Sequence, residues 1–244
     1  MRRQINFRML VRLIGGLLQI EAIFMLIPLA TCLIYGEADY MIFAITGICT
    51  AIAGHLLWRV YPVTRRMGKR EGFLLTALVW VVFSIAGMFP FIFGSPQADV
   101  STSFFEAMSG FTTTGATILP PGNDISHGII MWQALMQWLG GMGIILFTLA
   151  VIPALNTSGG MQMFNAEVTG VTHDKIMPRI SQTAKMLWGL YFGLTITLTI
   201  LLWAGPMDLF DSICHAFGTI STGGFSSVPD SVASFKSDYI HGSY

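Results

Sequence analysis

The chain has 244 residues, of which 53% are hydrophobic and 11% are charged, and its mean hydropathy is +0.66. Soluble domains carry about 25% charged residues, so the composition excludes an ordinary soluble globular domain. Several apolar runs reach the roughly 20 residues that cross a hydrocarbon core, and the pattern predicts an all-α polytopic membrane protein that contacts lipid and no nucleic acid.

Five apolar stretches predict membrane-spanning helices, at residues 9–35, 40–58, 72–94, 127–152 and 186–206. Pro28 and Pro90 are expected to kink their spans, because proline lacks an N–H group and its ring clashes with the preceding turn. Glu21 lies inside the first span, where an acid is a functional candidate. A structural hydrogen bond and a contact with a second copy are the other two interpretations.

The basic residues predict the orientation of the spans. Twelve of the thirteen Lys and Arg residues fall before or at the start of the first span, between the second and third, or between the fourth and fifth; only Lys236 lies on the other side. The positive-inside rule makes the first side cytoplasmic and places the N-terminus there. The outer segments carry acids that either attract cations or are solvated loop residues: Glu37, Asp39, Asp99, Glu106, Asp124, Asp208, Asp211, Asp230 and Asp238.

The segment between the third and fourth spans, residues 95–126, has an unusual pattern. "STSFFEAMSGF" at 101–111 has the apolar spacing of a short helix, and Ser103 with Glu106 fits a capping box. At about 1.5 Å per residue, this helix reaches only halfway across a bilayer. The Gly/Thr-rich "TTTGAT" that follows predicts a pore loop, whose backbone carbonyls replace the water shell of an ion. A solvent-exposed loop with one amphipathic turn is the alternative.

A second copy of this pattern follows the fifth span and favours the pore loop. In "DLFDSICHAFGTISTGGFSSV" at 208–228, Asp208 and Asp211 give a helix-start signature like that of Ser103 and Glu106. A shift of 108 residues aligns four pairs: Gly110 with Gly218, Thr113 with Ser221, Thr114 with Thr222, and Gly115 with Gly223.

The fourth span contains a run of glycines in "QWLGGMGI", residues 137–144. Gly140, Gly141 and Gly143 make a small-residue surface that predicts close helix packing, with a hinge as the alternative. The five histidines and three cysteines show no metal-ligand spacing, and the cysteines are interpreted as free thiols. Neither HExxH nor GxSxG occurs, so the chain is not expected to be an enzyme or to hold a cofactor.

With "SGFTTTGAT" at 109–117, "QWLGGMGI" at 137–144 and "STGGFS" at 221–226, the chain resembles the Trk/Ktr/HKT superfamily of potassium transporters, TrkH type. The resemblance covers nearly the whole chain. It implies an N-terminal hairpin at 1–60, a first pore-loop repeat at 61–153 and a second at 154–244. It also implies potassium transport across a bacterial inner membrane, a homodimer, and a TrkA-like cytoplasmic ring of nucleotide-binding regulatory subunits.

Carried over from the resemblance, the potassium-coordinating positions are Thr113, Thr114, Gly115, Ser221, Thr222 and Gly223. The flanking positions are Thr112, Ala116, Thr117, Ile220 and Gly224. Plant relatives that prefer sodium have serine at the first filter glycine, so Gly115 favours potassium. The family pattern has four repeats, and the chain reaches Tyr244 before the second one closes. The sequence therefore predicts a partial transporter, with a non-conducting scaffold or a sodium-permeable transporter as alternatives.

Overall fold

The computed structural model describes residues 6–60, 69–95, 98–119, 125–156, 176–228 and 235. Over these ranges the chain is helical, with no β-strand. In chain order the helices are α1 (Phe7–Phe24), α2 (Leu26–Tyr35), α3 (Tyr40–Val60), α4 (Lys69–Gly87), α5 (Phe89–Gly94), α6 (Val100–Phe111), α7 (His127–Asn156), α8 (Ile176–Trp203) and α9 (Leu209–Ile220).

Four segments of the described chain are apolar and long enough to cross a membrane: Phe7–Tyr35, Tyr40–Arg59, Glu71–Gly94 and Gln182–Trp203. They coincide with the first, second, third and fifth predicted spans. The fourth predicted span lies on α7, whose 30 residues give a length of about 45 Å. The all-α polytopic membrane fold is confirmed.

The last span ends at Trp203, three residues before the predicted end, since Pro206 disfavours helix in the residue before it.

Both spans for which a proline kink was predicted are interrupted close to the proline. The first span breaks at Met25, three residues before Pro28, and the third breaks at Met88, two residues before Pro90. In each case the missing proline N–H leaves the carbonyl four residues earlier without its helical partner, at or next to the end of the preceding helix. The interruption therefore follows directly from the sequence.

Helix α7 lies at the centre of the molecule and packs against α2, α4, α5, α6, α8 and α9. Its buried side chains join the main apolar core, in which Trp132 and Met136 contact the same cluster as Phe111 at the end of α6. The indole N–H of Trp132 donates to the Gly87 carbonyl, 3.0 Å away, at the break between α4 and α5. Helix α7 packs against both α6 and α9, the two 12-residue helices that precede the Gly/Thr-rich loops. It therefore helps to position the C-terminal ends of these two helices.

Candidate functional site

The first short helix, α6, begins at Val100, one residue before the predicted stretch 101–111, but its N-cap lies four residues before the predicted Ser103. Asp99 is its N-cap, and the carboxylate accepts the Thr102 N–H at 2.7 Å. Ser103 and Glu106 lie inside the helix and are both fully buried. The predicted capping box is therefore wrong, because the N-cap is Asp99, four residues before Ser103, so that Ser103 and Glu106 fall inside the helix.

The second short helix, α9, repeats this start. Asp208 is the N-cap, and its carboxylate accepts the Asp211 N–H at 2.7 Å. Both α6 and α9 have 12 residues, so each is about 18 Å long and reaches only part of the way through a bilayer. Asp208 is a cap as predicted, whereas Asp211 contributes its backbone N–H.

The backbone turns sharply after α6. Thr113 N–H donates to the Gly110 carbonyl at 2.9 Å, and Thr114 N–H donates to the Ser109 carbonyl at 2.9 Å. A trans peptide plane points its C=O opposite to its N–H. The carbonyl oxygens of Thr112 and Thr113 therefore point away from the helix end. In the described part of the chain, no N–H or O–H group donates to either oxygen.

The second loop makes the same turn. Thr222 N–H donates to the Thr219 carbonyl at 2.9 Å, and Gly223 N–H donates to the Gly218 carbonyl at 2.8 Å. By the same geometry, the carbonyl oxygens of Ser221 and Thr222 point away from α9. They too receive no hydrogen bond from the described residues.

Both turns depend on a threonine in the left-handed region of backbone space. Thr113 and Thr222 each have φ of 56°, which is rare for a β-branched residue. Such a conformation costs about 1–3 kcal/mol and persists only where the surrounding structure enforces it. The same strain at the same place in two loops makes these turns the candidate functional site.

These equivalences give the register of the two loops. The helices, the strained threonines and the paired hydrogen bonds are all offset by 109 residues. The predicted shift of 108 is therefore wrong by one. Gly115, with φ of 72°, corresponds to Gly224, with φ of 111°, and Thr114 corresponds to Gly223. Two adjacent glycines in the second loop made the choice ambiguous, and backbone conformation resolves it.

The extended segments after α6 and α9, residues 112–119 and 221–228, are called the first and second strands below, although neither is a β-strand. These two strands touch each other at glycine. A Cβ on Gly115 would collide with the Gly223 carbonyl oxygen and lie 3.2 Å from the Gln137 Nε2 atom. A Cβ on Gly224 would meet no atom of the described residues within 4 Å. The two equivalent glycines therefore have different constraints. At Gly115 a side chain is opposed both by the positive φ and by the collision, whereas at Gly224 only the positive φ favours glycine.

Other predicted positions flank these turns. The Thr112 hydroxyl lies 2.8 Å from the Thr114 hydroxyl and donates to the Met108 carbonyl, while the Ala116 carbonyl accepts the Ser109 hydroxyl at 2.7 Å. Ile220 is the last residue of α9. Thr117 lies toward the end of the first strand that is farther from α6 along the chain, where its hydroxyl donates to Glu106.

The Glu106 carboxylate accepts hydrogen bonds from the last residues of the first strand. Its Oε1 atom accepts the Thr117 hydroxyl at 2.9 Å and the N–H groups of Ile118 at 2.6 Å and Leu119 at 3.2 Å. Its Oε2 atom accepts the Gln133 amide at 3.1 Å. Glu106 was predicted to be a cap, and the apolar residues around it in the sequence were the only signal that it is buried.

Gln137 supports the second strand from α7. Its Oε1 atom accepts the Phe225 N–H at 3.3 Å, and a Cβ on Gly223 would collide with its side-chain amide. Gln133 and Gln137 are one turn apart, so one face of α7 reaches both loops. These contacts have no signal in the sequence: Gln137 is the first residue of "QWLGGMGI" but was assigned no role, and Gln133 lies outside that motif.

The glycine run on α7 packs closely, as predicted. A Cβ on Gly140 would collide with the Phe111 carbonyl at the end of α6. A Cβ on Gly141 would lie 3.0 Å from the Ser221 Cα atom just after α9, and one on Gly143 would lie 3.3 Å from the Trp80 ring. Adjacent glycines thus seat the ends of both short helices against the same turn of α7.

Three of the acids in the segments predicted to lie outside cap the start of a helix. Besides Asp99 and Asp208, Glu37 accepts the His127 N–H at 2.8 Å, the His127 Nδ1 at 2.7 Å and the Gly128 N–H at 3.2 Å, at the start of α7. Burial opposes ionisation, but these hydrogen bonds outweigh it and lower the pKa of Glu37. Asp124, Asp230 and Asp238 lie outside the described residues.

Glu21 is buried inside the chain, which excludes the predicted contact with a second copy. Its Oε1 atom lies 3.4 Å from where a Cβ of Gly87 would be, and neither oxygen has a hydrogen-bond partner among the described residues. The three cysteines are free thiols, with Cys32 and Cys214 buried and Cys49 exposed.

Comparison with known proteins identifies the family. The family model of TrkH, a cation transport protein, matches residues 40–241. The chain belongs to the TrkH family. It is 40% identical over 241 residues to the Trk system potassium uptake protein TrkH of Escherichia coli K12, covering 97% of this chain and 49% of that protein. It is 30% identical over 237 residues to TrkG of the same organism, covering 95% and 48%.

The fold agrees with a solved member of the TrkH family. The crystal structure of the potassium transporter TrkH from Vibrio parahaemolyticus matches with a TM-score of 0.85 and 34% identity, covering 98% of this chain and 48% of that one. The chain thus spans about half the length of the relatives it matches.

Proposed function

We propose that the chain forms one side of a potassium-selective path across the membrane. The observation that carries this proposal is the pair of turns after α6 and α9, where successive carbonyl oxygens point away from a helix end and receive no described hydrogen bond. The carbonyl end of a helix carries a partial negative charge, which favours a cation. Two such ends and their carbonyl oxygens are suited to replace the water around a potassium ion.

The corrected register changes the proposed ion-binding residues. In the first strand they are Thr112, whose carbonyl points away from the helix end, together with the predicted Thr113, Thr114 and Gly115. In the second strand the equivalent residues are Ser221, Thr222, Gly223 and Gly224, so Ser221 stays and Gly224 is added. The names of the relatives support potassium as the transported ion, and Gly115 supports selectivity for potassium over sodium.

Two strands supply oxygens from only part of the circle around an ion. Because the relatives are about twice as long as this chain, we propose that the matching second half of such a protein completes the path. The predicted homodimer, the nucleotide-binding ring on the cytoplasmic side and the cytoplasmic N-terminus belong to this proposal. Naming of the relatives as parts of a Trk system supports the partners, and the basic-residue count supports the orientation.

The test joins residues 1–244 to the second half of the E. coli relative; this fusion is called the completed transporter below. We expect it to restore growth at limiting potassium in a strain without its own uptake systems, and to take up rubidium in preference to sodium. Residues 1–244 alone should give no uptake, and co-expression with the separate second half should restore some. Equal uptake of rubidium and sodium by the completed transporter would refute potassium selectivity.

Uptake by residues 1–244 alone would have a different meaning. It would show that two copies of this chain assemble a path from four strands. Absence of uptake from a completed transporter that folds and reaches the membrane would instead favour the non-conducting scaffold.

A further inference from the structure

Gln137 on α7 is fully buried, at the place where the first and second strands touch. Its Oε1 atom accepts the Phe225 N–H at 3.3 Å. Because a backbone N–H group can only donate, the amide oxygen faces the second strand and the Nε2 atom faces the other way. The hydrogen bond to Phe225 therefore holds the Gln137 amide in one orientation.

The Nε2 atom of Gln137 faces the contact between Gly115 and Gly223. A Cβ on Gly115 would lie 3.2 Å from Nε2 and would collide with the Gly223 carbonyl oxygen. A Cβ on Gly223 would collide with Gln137 itself, which supplies the three nearest atoms, Cδ, Oε1 and Nε2. The Gln137 side chain thus packs against a glycine of each strand and holds one strand in place against the other.

The Nε2 atom of Gln137 has no hydrogen-bond acceptor among the described residues, although it is buried. A buried N–H group without an acceptor destabilises a folded chain, and an apolar side chain of the same size avoids this cost. Gln133, one turn earlier on α7, differs in that its amide donates to the Glu106 carboxylate at 3.1 Å. Stability alone therefore does not favour an amide at position 137.

We propose that Gln137 is a positioning residue that sets the place of the Gly223 carbonyl relative to the first strand, and thereby contributes to selection of potassium over sodium. Gly223 is one of the proposed ion-binding residues, and Phe225, which Gln137 holds, follows two residues later in the same strand. A shift of this strand would change the spacing of the oxygens that replace the water around an ion. The effect on selectivity rests on the proposed function, whereas the contacts of Gln137 do not.

The transport test compares Gln137→Met with the parent in the completed transporter. Methionine is unbranched and of similar length, but it lacks the amide that accepts the Phe225 N–H. We expect the ratio of rubidium to sodium uptake to fall by roughly 2- to 10-fold, which corresponds to the loss of a single hydrogen bond. The melting temperature should change little, because the variant leaves the Phe225 N–H without its acceptor but also removes the N–H groups of Nε2.

Gln19→Met is the matched control. The Nε2 atom of Gln19 is also buried and without an acceptor among the described residues, but Gln19 lies on α1, which packs against α2, α3 and α4. Its uptake ratio should stay at the parental value. A parental ratio in Gln137→Met, or equal losses in Gln137→Met and Gln19→Met, would overturn the proposal. So would a fall in the ratio that comes only with a large drop in melting temperature.

The second measurement needs no transport and uses the melting temperature of the completed transporter in detergent. Gly223 does not have a positive φ, so alanine there is opposed by the collision with Gln137 and not by the backbone conformation. Gly223→Ala should lower the melting temperature, and Gln137→Ala in the same chain should relieve part of that loss. We expect the double variant to melt roughly 1–3 °C above the value obtained by adding the two single effects.

Gly15→Ala is the control for this pair, because its Cβ would meet the backbone of Gly54 and Trp58 in the N-terminal hairpin. Its effect and that of Gln137→Ala should simply add. Additive losses for Gly223→Ala and Gln137→Ala would show that Gln137 does not pack against the second strand, and would refute the proposal. If the completed transporter takes up no rubidium, the proposed function fails, while this comparison still decides the contact.

Discussion

A Cβ added at Gly115 should be far more damaging than one added at the equivalent Gly224. Both glycines have positive φ, at 72° and 111°, so alanine at either position is strained, typically by about 1–2 kcal/mol. Only at Gly115 does the new Cβ collide with the Gly223 carbonyl oxygen. Overpacking of this kind costs about 1–3 kcal/mol more.

Both Gly115→Ala and Gly224→Ala strain the backbone, and only Gly115→Ala adds the collision, so the comparison tests whether the collision outweighs the difference in strain. We expect Gly115→Ala to unfold at a lower temperature than Gly224→Ala, since about 1 kcal/mol shifts the melting temperature by roughly 2–4 °C for 150–250 residues and by less for the longer completed transporter. The melting temperature of the completed transporter in detergent, followed by tryptophan fluorescence, measures this difference.

The same pair of variants tests the ion path. Displacement of the Gly223 carbonyl should lower the ratio of rubidium to sodium uptake in Gly115→Ala, with a smaller effect in Gly224→Ala. Equal melting temperatures and equal uptake ratios for the two variants would show that the strands do not touch at Gly115, and would refute the reasoning.

Three further predictions follow from the fold. Glu37→Gln should lower the melting temperature near neutral pH, because it removes the charge that caps α7. Since the pKa of Glu37 is lowered in the folded chain, the stabilisation is present above the ordinary value of 4.5 and is lost as the pH falls through the folded value, where the variant and the parent should converge. A constant difference down to the lowest pH would contradict this account. In a background without the native cysteines, Asp124→Cys should react with an impermeant thiol reagent in intact cells and Lys175→Cys should not; the reverse pattern would invert the topology. Gly140→Ala should destabilise the protein more than Gly143→Ala, because its Cβ meets the Phe111 backbone instead of the edge of a ring, and equal melting temperatures would argue against the packing of α6 on α7.

Local sequence patterns were sufficient to predict much of the fold. Apolar runs predicted the spans, Pro28 and Pro90 predicted the two breaks, and the glycines at 140 and 141 predicted close packing. Each of these features depends on residues that are near one another in the chain. The recurrence of a short helix followed by a Gly/Thr strand also identified the two loops that form the candidate site.

The details of the site depended on contacts between distant residues. Glu106 fitted a capping box by spacing, yet it is buried against the strand eleven residues later, and Gln133 reaches it from another helix. Gln137 carries no local signal and is defined by its bond to Phe225, 88 residues away.

The sequence by itself determined that two half-helices precede two strands, because helix length, capping and glycine content are local properties. Only the tertiary structure decided the register between the strands. With two adjacent glycines, residue identity aligned Gly115 with Gly223, whereas positive φ and the hydrogen bonds at each turn align it with Gly224. Backbone conformation is set by what the strand packs against, and in this chain that surface is α7.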